Sequence, residues 1–139
     1  MSVVIDDNGF CADHWTHGFC RVDDLPARES TGPLAVDIDN DFDVSALRER
    51  FGGIALIRVA FPTATDGRGY SQARHLRMLG YRGRLRAAGH LIADQYVLAR
   101  QSGFDEVEIS DSLAARQPEA QWRNCASRAR HSYQTLLRT

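Results

Sequence analysis

A short segment rich in glycine and arginine combines residue types that bind anions in proteins. Its candidate ligand-binding residues are Asp66, Gly67, Arg68, Gly69 and Ser71. The two glycines are expected to adopt positive φ and bring backbone N–H groups together, and N–H groups at a helix start favour phosphate and other oxyanions. The segment therefore predicts an oxyanion or phosphate site. The alternative is a structural strand-to-helix turn in which Asp66 caps the helix and the arginines are solvated.

Three more arginines and one glutamine are expected beside this segment. Arg74 and Arg77 share a face of the helix that follows, and Arg86 comes just before Gly89 at the end of the next strand. A guanidinium binds sulfate, phosphate or carboxylate through two parallel hydrogen bonds. Gln95 projects into the apolar arc of the second helix, where a buried amide needs partners. We interpret Gln95 as bonded to backbone at the sheet end, with a ligand contact as the alternative.

Asp66 and His90 are the two candidates for a catalytic base. His90 begins the second predicted helix, where a lone histidine is more commonly a polar surface residue. The chain contains no lysine, which excludes a Schiff-base lysine and a P-loop lysine. It also lacks a Gly-x-Gly-x-x-Gly fingerprint and a nucleophile–base pair. No cofactor is assigned, because a redox cofactor would have to bind without a recognised motif.

The three cysteines are Cys11, Cys20 and Cys125. Cys11 and Cys20 enclose His14 and His17 at three-residue intervals, and these are suitable ligand types for zinc. Ten residues are too few to close a tetrahedral site comfortably, so we predict no metal site and interpret the segment as a turn. Cys125 is interpreted as a buried small hydrophobe rather than a reactive thiol.

Charge is distributed unevenly along the 139 residues. Residues 1–66 hold 12 acidic residues and 5 arginines, residues 67–139 hold 6 acidic residues and 12 arginines, and the net charge is −1. The acidic first half argues against nucleic-acid binding. No apolar run approaches the roughly 18 residues of a membrane span, and the first residues lack a signal-peptide pattern. We therefore expect a cytoplasmic protein that forms one domain.

Apolar patterning predicts an α/β fold. The run at 54–61 is typical of a central strand covered on both faces. Further strands are expected at 3–6, 19–22, 33–38, 84–88 and 107–109, with helices at 44–51, 70–79, 91–101 and from 118 onward. Short connections between alternating elements imply right-handed crossovers and a mostly parallel sheet. We predict a small three-layer domain with N-terminal strands and a helix (1–53), a βαβαβ core (54–110) and a C-terminal amphipathic helix (111–139).

A longer string around the glycine–arginine segment carries a family resemblance. It runs from Phe61 to Arg74 (FPTATDGRGYSQAR) and continues through Leu85-Arg86-Ala87, Gly89, Asp94-Gln95 and Gly103-Phe104-Asp105. This pattern resembles an uncharacterised bacterial family, domain of unknown function 934, over residues 54–109. The sequence departs from the family pattern at Thr63-Ala64, His90 and Ala93, and the first and last of these departures remove positive charge near the loop.

The resemblance implies a pathway rather than a mechanism. Members of this family are often encoded beside assimilatory sulfite reductase and the reductase for activated sulfate. It implies an accessory protein with sulfite reductase or another sulfate-assimilation enzyme as its partner, together with the oxyanion site above. The alternative is a small oxidoreductase or other enzyme acting on an anionic or phosphorylated substrate, with Asp66 or His90 as base. The sequence leaves both the ligand and any homo-oligomer open.

Overall fold

A seven-stranded sheet spans the residues that the computed structural model describes, 2–25 and 33–138, with backbone alone for 130–138. The strands are β1 (Ser2–Asp6), β2 (Gly9–Cys11), β3 (Cys20–Arg21), β4 (Leu34–Ile38), β5 (Ile54–Phe61), β6 (Arg84–Gly89) and β7 (Glu106–Ser110). Their order is β2-β1-β7-β6-β5-β4-β3, with β3 to β7 parallel and with β1 antiparallel to both β7 and β2. The predicted α/β class and mostly parallel sheet are confirmed.

The helices include elements that the sequence pattern did not resolve. The α-helices are α1 (Arg68–Met78), α2 (Tyr96–Ser102), α3 (Asp111–Arg116) and α4 (Glu119–Arg138), and 3₁₀ helices form at Val22–Asp24, Val44–Gly53 and Ala93–Gln95. Asp43 caps the second 3₁₀ helix, accepting from the Ser45 N–H at 3.1 Å. The expected helix at 91–101 is divided into the third 3₁₀ helix and α2, and Gly103 closes α2 in the left-handed conformation at φ 115°.

The two faces of the sheet differ in character. Because β4, β5, β6 and β7 are consecutive parallel neighbours, right-handed crossovers place every connecting helix on the same face. That helix face is apolar and includes buried Ile57, Leu85 and Val107. The opposite face, which we call the charged face, carries Arg58 and Arg86, because side chains alternate along each strand. On this face β5 carries Arg58 between Leu56 and Ala60, a charged position that the expectation of a strand with two apolar faces did not include.

The layer over the charged face is an irregular segment, residues 12–19, and not a helix. Asp13 bonds to Arg86, and the ring of Phe19 lies 3.6 Å from the guanidinium carbon of Arg58. The expected third layer is thus an irregular segment, which we call the strap, that contacts Arg86 and Arg58 in the middle of this face. Its position leaves the carboxyl ends of the strands open on that face.

The C-terminal helix packs one face on the body, as predicted. Trp122, Cys125, Ala126 and Ala129 are buried, and the Trp122 ring meets Tyr96 of α2 edge-on at 6.3 Å. Fully burying one large apolar side chain stabilises the fold by about 1.5–3 kcal/mol. No helix in the described part of the chain has the length and apolar character needed to cross a membrane.

Candidate functional site

Asp66, in the loop between β5 and α1, is engaged at both carboxylate oxygens. Arg68 donates to it from its backbone N–H at 3.1 Å and from Nη2 at 2.8 Å, and the Asn40 amide donates at 2.7 Å. The hydrogen bonds from Arg68, more than any other cause, hold the pKa of Asp66 well below its usual range. The protein's own carboxylate thus lies at the first N–H group of α1, where the sequence predicts an external anion.

The two glycines of the loop do not have the positive φ that the sequence analysis expects. Gly67 is the N-cap of α1 at φ −89°, and the positive-φ glycines among the described residues are five others. The reason is that α1 begins at Arg68, so both glycines adopt helix-start conformations. Gly69 is needed for close packing instead, because a Cβ there would lie 2.5 Å from the Phe61 ring.

Ser71 and Arg74 lie exposed on the first turns of α1. Together with Arg68, they are the predicted anion-binding side chains that the structure keeps at this end of the helix. The Arg68 charge is paired with Asp66 in an exposed salt bridge of 2.8 Å. An oxyanion would therefore compete with Asp66 for Arg68.

Gln95 connects two loops at the carboxyl edge of the sheet. Its Nε2 donates to the Ala64 carbonyl at 2.5 Å, and its Oε1 accepts from the Ile92 N–H at 3.0 Å. Gln95 thus lies beside the predicted segment, but both ends of its amide are bonded to backbone. This agrees with the interpretation of Gln95 as a structural residue bonded to backbone at the sheet end. Gln95 fixes the β6–α2 connection against the loop that contains Asp66.

Arg77 lies at the far end of α1 from the predicted site. Its guanidinium donates to the carbonyls of Gly103, Tyr81 and Gly83 at 2.9, 3.0 and 2.8 Å, and to the Asp105 carboxylate at 3.0 Å. The expectation that Arg77 adds charge beside the loop is corrected, because the last turn of α1 points this residue at the segments that enter β6 and β7. Arg77 joins three stretches of backbone.

Arg86 is fully buried on the charged face and does not reach the loop. Because Leu85 and Ala87 face the helices, Arg86 must point to the other side of β6. It donates to Glu106 at 2.6 Å, to Glu108 at 2.8 Å and to Asp13 at 3.1 Å. Burial alone would lower the pKa of Arg86, but hydrogen bonds to Asp13 and the two glutamates raise it. The predicted oxyanion role of Arg86 at the loop is therefore replaced by internal pairing.

Arg86 belongs to a row of alternating charges across β4 to β7. Arg58 donates to Asp37 at 2.5 and 2.8 Å and to Glu108 at 3.2 Å, and Arg84 donates to Glu106 at 2.6 Å. We call this row the charge ladder; its members are Asp37, Arg58, Glu108, Arg86, Glu106 and Arg84. The ladder was not predicted, although the alternation in Arg84-x-Arg86 and Glu106-x-Glu108 is a signal for one charged sheet face.

The loop and the charge ladder lie within the part of the chain that a known family covers. A family model described as "Bacterial protein of unknown function (DUF934)" matches residues 35–139. The chain belongs to the DUF934 family. No curated protein and no solved structure matches it. β4 to β7 and all four α-helices of this DUF934 chain fall within or begin at the edge of the matched range, whereas β1 to β3 and the strap precede it.

The two candidate bases of this DUF934 chain are not paired with each other. His90 is exposed, and its backbone N–H donates to the Phe61 carbonyl at 2.9 Å. A carboxylate whose pKa is strongly lowered accepts a proton poorly at neutral pH, which weakens Asp66 as a general base. The geometry at the loop therefore favours structural bonds over proton transfer.

Cys11 and Cys20 lie in β2 and β3, at opposite edges of the sheet. Their thiols donate to the carbonyls of Val4 and Ala35 at 3.4 and 3.5 Å. Burial, with Asp6 nearby, raises the pKa of Cys11 to about 11. Within residues 2–25 and 33–138, no group of three or more histidine, cysteine or acidic side chains could hold a metal ion.

Proposed function

We propose that this DUF934 protein is an accessory protein of assimilatory sulfate or sulfite reduction, which acts in the cytoplasm by binding a partner enzyme. The pathway is the one that the family resemblance implies. The mode of action rests on one observation, the charge ladder on a sheet face that the strap covers only in part. The exposed part of the ladder, Arg84 with Asp37 and Arg58, offers a partner charges in a fixed register, which favours specific and salt-sensitive association.

The paired state of the ladder supports binding over catalysis. Each of its carboxylates already accepts hydrogen bonds from an arginine of the protein itself. Ion pairs in a partly buried place contribute little net stability compared with apolar side chains. An apolar face would stabilise the fold equally well. The six charged residues on this face therefore favour a role in recognising a partner.

The test is direct binding to sulfite reductase and to the reductase for activated sulfate. We expect one of them to bind with an affinity that falls as salt is raised, because exposed charges are screened. Arg84→Ser should weaken binding about tenfold or more, because it removes one positive charge of the ladder. Glu106 keeps Arg86 as a partner in this variant, so the fold should remain intact.

Arg48→Ser is the matched control, because Arg48 is exposed on a 3₁₀ helix outside the ladder. If neither enzyme binds, or if both variants bind like the wild-type protein, the proposal is wrong. If the protein instead binds an enzyme from another pathway, its proposed role as a partner-binding protein stands, but its proposed assignment to sulfate or sulfite reduction is wrong.

A second candidate is a small enzyme or oxidoreductase that acts on an anionic or phosphorylated substrate. The observation that favours it is the exposure of Ser71 and Arg74 beside Arg68 at the start of α1. Sulfate, sulfite and phosphate are the probes. A bound anion at 100 times its dissociation constant stabilises by about 2.7 kcal/mol. A thermal shift that disappears in the double variant Arg68→Ala, Arg74→Ala would support this candidate, and no shift with any anion would reject it.

A further inference from the structure

A groove of about 400 Å³ opens on the charged face at the carboxyl ends of the parallel strands. Its charged lining residues are Arg21, Asp37, Asp39, Arg58 and Glu108. Ala60, Ala88 and Gly89 contribute small side chains or none to the lining. Ligands of parallel α/β sheets bind outside the carboxyl ends of the strands. The groove shares no residue with the segment from Asp66 to Ser71.

The shape of the groove follows from the strand register. Arg58 pairs with Arg86 across β5 and β6, and two positions further along Ala60 pairs with Ala88. The change from two long side chains to two methyl groups produces a step down in the surface, which forms the floor. Gly89, which follows the floor position Ala88, must be glycine because its φ is 133° and a Cβ there would collide with the Phe61 carbonyl oxygen. The depression is thus fixed by backbone geometry.

The walls carry both signs of charge in near balance. Arg58 is paired with Asp37 and Glu108, and Glu108 is also paired with Arg86 behind the groove. Arg21 and Asp39 form a 2.8 Å pair, but the side chain of each is 58% exposed. Their remaining donors and acceptors are therefore open to a ligand. A simple anion would meet three carboxylates and a simple cation would meet two guanidinium groups, so both are disfavoured.

We propose that this groove binds a small zwitterion of the α-amino-acid class. The ligand carboxylate is bound by Arg21, since guanidinium groups suit carboxylates. The ligand ammonium lies against Asp39, and its side chain covers the alanine floor. The volume is at the lower end of small-molecule pockets, which suits a ligand of this size.

The test is a titration of the full chain with each common L-amino acid, followed by NMR or calorimetry. We expect at least one to bind with a dissociation constant below about 1 mM. For each amino acid that binds, the matching amine and the matching carboxylic acid are compared. Each carries one of the two charges, so each should bind at least about tenfold more weakly. Equal binding of either analogue, or no binding by any amino acid, overturns the proposal.

Variants of groove residues test whether the ligand binds in the groove. Ala88→Leu should abolish binding by filling the floor, and Ser127→Leu on the exposed face of α4 is its control. Arg21→Gln should weaken binding, with Arg48→Gln as control, and because Arg21 is exposed this variant remains informative if Ala88→Leu does not fold. Unchanged binding in Arg21→Gln contradicts the assignment. The tests of this proposal and of the partner proposal are independent, because amino-acid binding is measured without a second protein.

Discussion

Arg86 donates from both terminal nitrogens to the carboxylate of Asp13, at 3.1 Å each, across 73 positions of the chain. Arg86 is fully buried, whereas the side chain of Asp13 is 37% exposed. The pair fastens the strap to the charge ladder, and it joins a residue before the family-matched range to one in its middle.

Replacing Arg86 should strongly destabilise the protein. Arg86→Met leaves Glu106, Glu108 and Asp13 close together without the cation that they share, so we expect a loss of about 3–5 kcal/mol in the free energy of unfolding. Urea denaturation measures this loss. Arg84→Met, which removes a partly exposed cation, should cost clearly less. Equal effects of the two variants would contradict the central role of Arg86.

Acid should weaken the attachment of the strap. Hydrogen bonds from Arg86 lower the pKa of Asp13, so its stabilising contribution is complete above the unfolded-state value of about 3.9. The contribution is lost as pH falls below that value through the folded-state pKa. Asp13→Asn should therefore cost about 1 kcal/mol or less near neutral pH and flatten the fall in stability at acid pH. The measurement is the urea midpoint between pH 3 and 7, with exposed Glu49→Gln as control.

Gly69 should not tolerate even one added methyl group. Gly69→Ala places a Cβ 2.5 Å from the Phe61 ring, and we expect about 1–3 kcal/mol of destabilisation from overpacking. Gly67→Ala is the matched control, because its Cβ would lie 3.9 Å from the nearest atom. Thermal unfolding of both variants tests the difference. A second change, Phe61→Leu, should recover part of the loss in Gly69→Ala, and additive losses would exclude a direct clash.

Replacing Arg77 should destabilise the protein more than replacing Arg74, although both residues lie on α1. Arg77→Ala removes bonds to three backbone carbonyls and to Asp105, so we expect a loss of about 2 kcal/mol in the free energy of unfolding. Exposed Arg74→Ala should change stability by no more than about 0.5 kcal/mol. Chemical denaturation distinguishes the two, and similar losses would show that the bonds of Arg77 are replaced by water at little cost.

The thiol of Cys11 should react slowly in the folded protein. Burial raises its pKa to about 11 from a reference value of 9.0, so the thiolate fraction at pH 8 falls about a hundredfold. Alkylation by iodoacetamide, followed by mass spectrometry of the modified peptides, gives the rate for each cysteine. The rate at Cys11 should rise to that of a free thiol in urea. Fast alkylation without denaturant would contradict the buried setting.

Sequence patterns correctly predicted those strands and helices whose positions depend mainly on their own residues. The apolar run at 54–61 gives β5, and the amphipathic helix expected from 118 onward is α4, whose buried side includes Trp122 and Cys125. The 3₁₀ form of Val44–Gly53 was not predicted, because its interior leaves only Val44 and Leu47 buried and gives a weak helical pattern.

The candidate site was predicted less well, because helical spacing tells which face a side chain occupies and not what it meets there. Arg77 finds its partners 4 to 28 positions away, and Arg86 finds Asp13 much further upstream. Such partners depend on strand order, which one sequence does not reveal. Strand alternation alone could have separated Arg86 from the loop, since it places this residue opposite Leu85 and Ala87.

The position of β1 has a kinetic consequence. β1 pairs with β2 close by in the chain, but its other neighbour is β7, with Ser2 opposite Ser110. During synthesis, the pairing of β1 with β7 must wait until β7, far along the chain, has been made. Pairings between such distant residues slow folding because a long loop must close first. Until then the nascent sheet has β7 as an unprotected edge, which makes the interval before β1 docks the period most prone to association between chains.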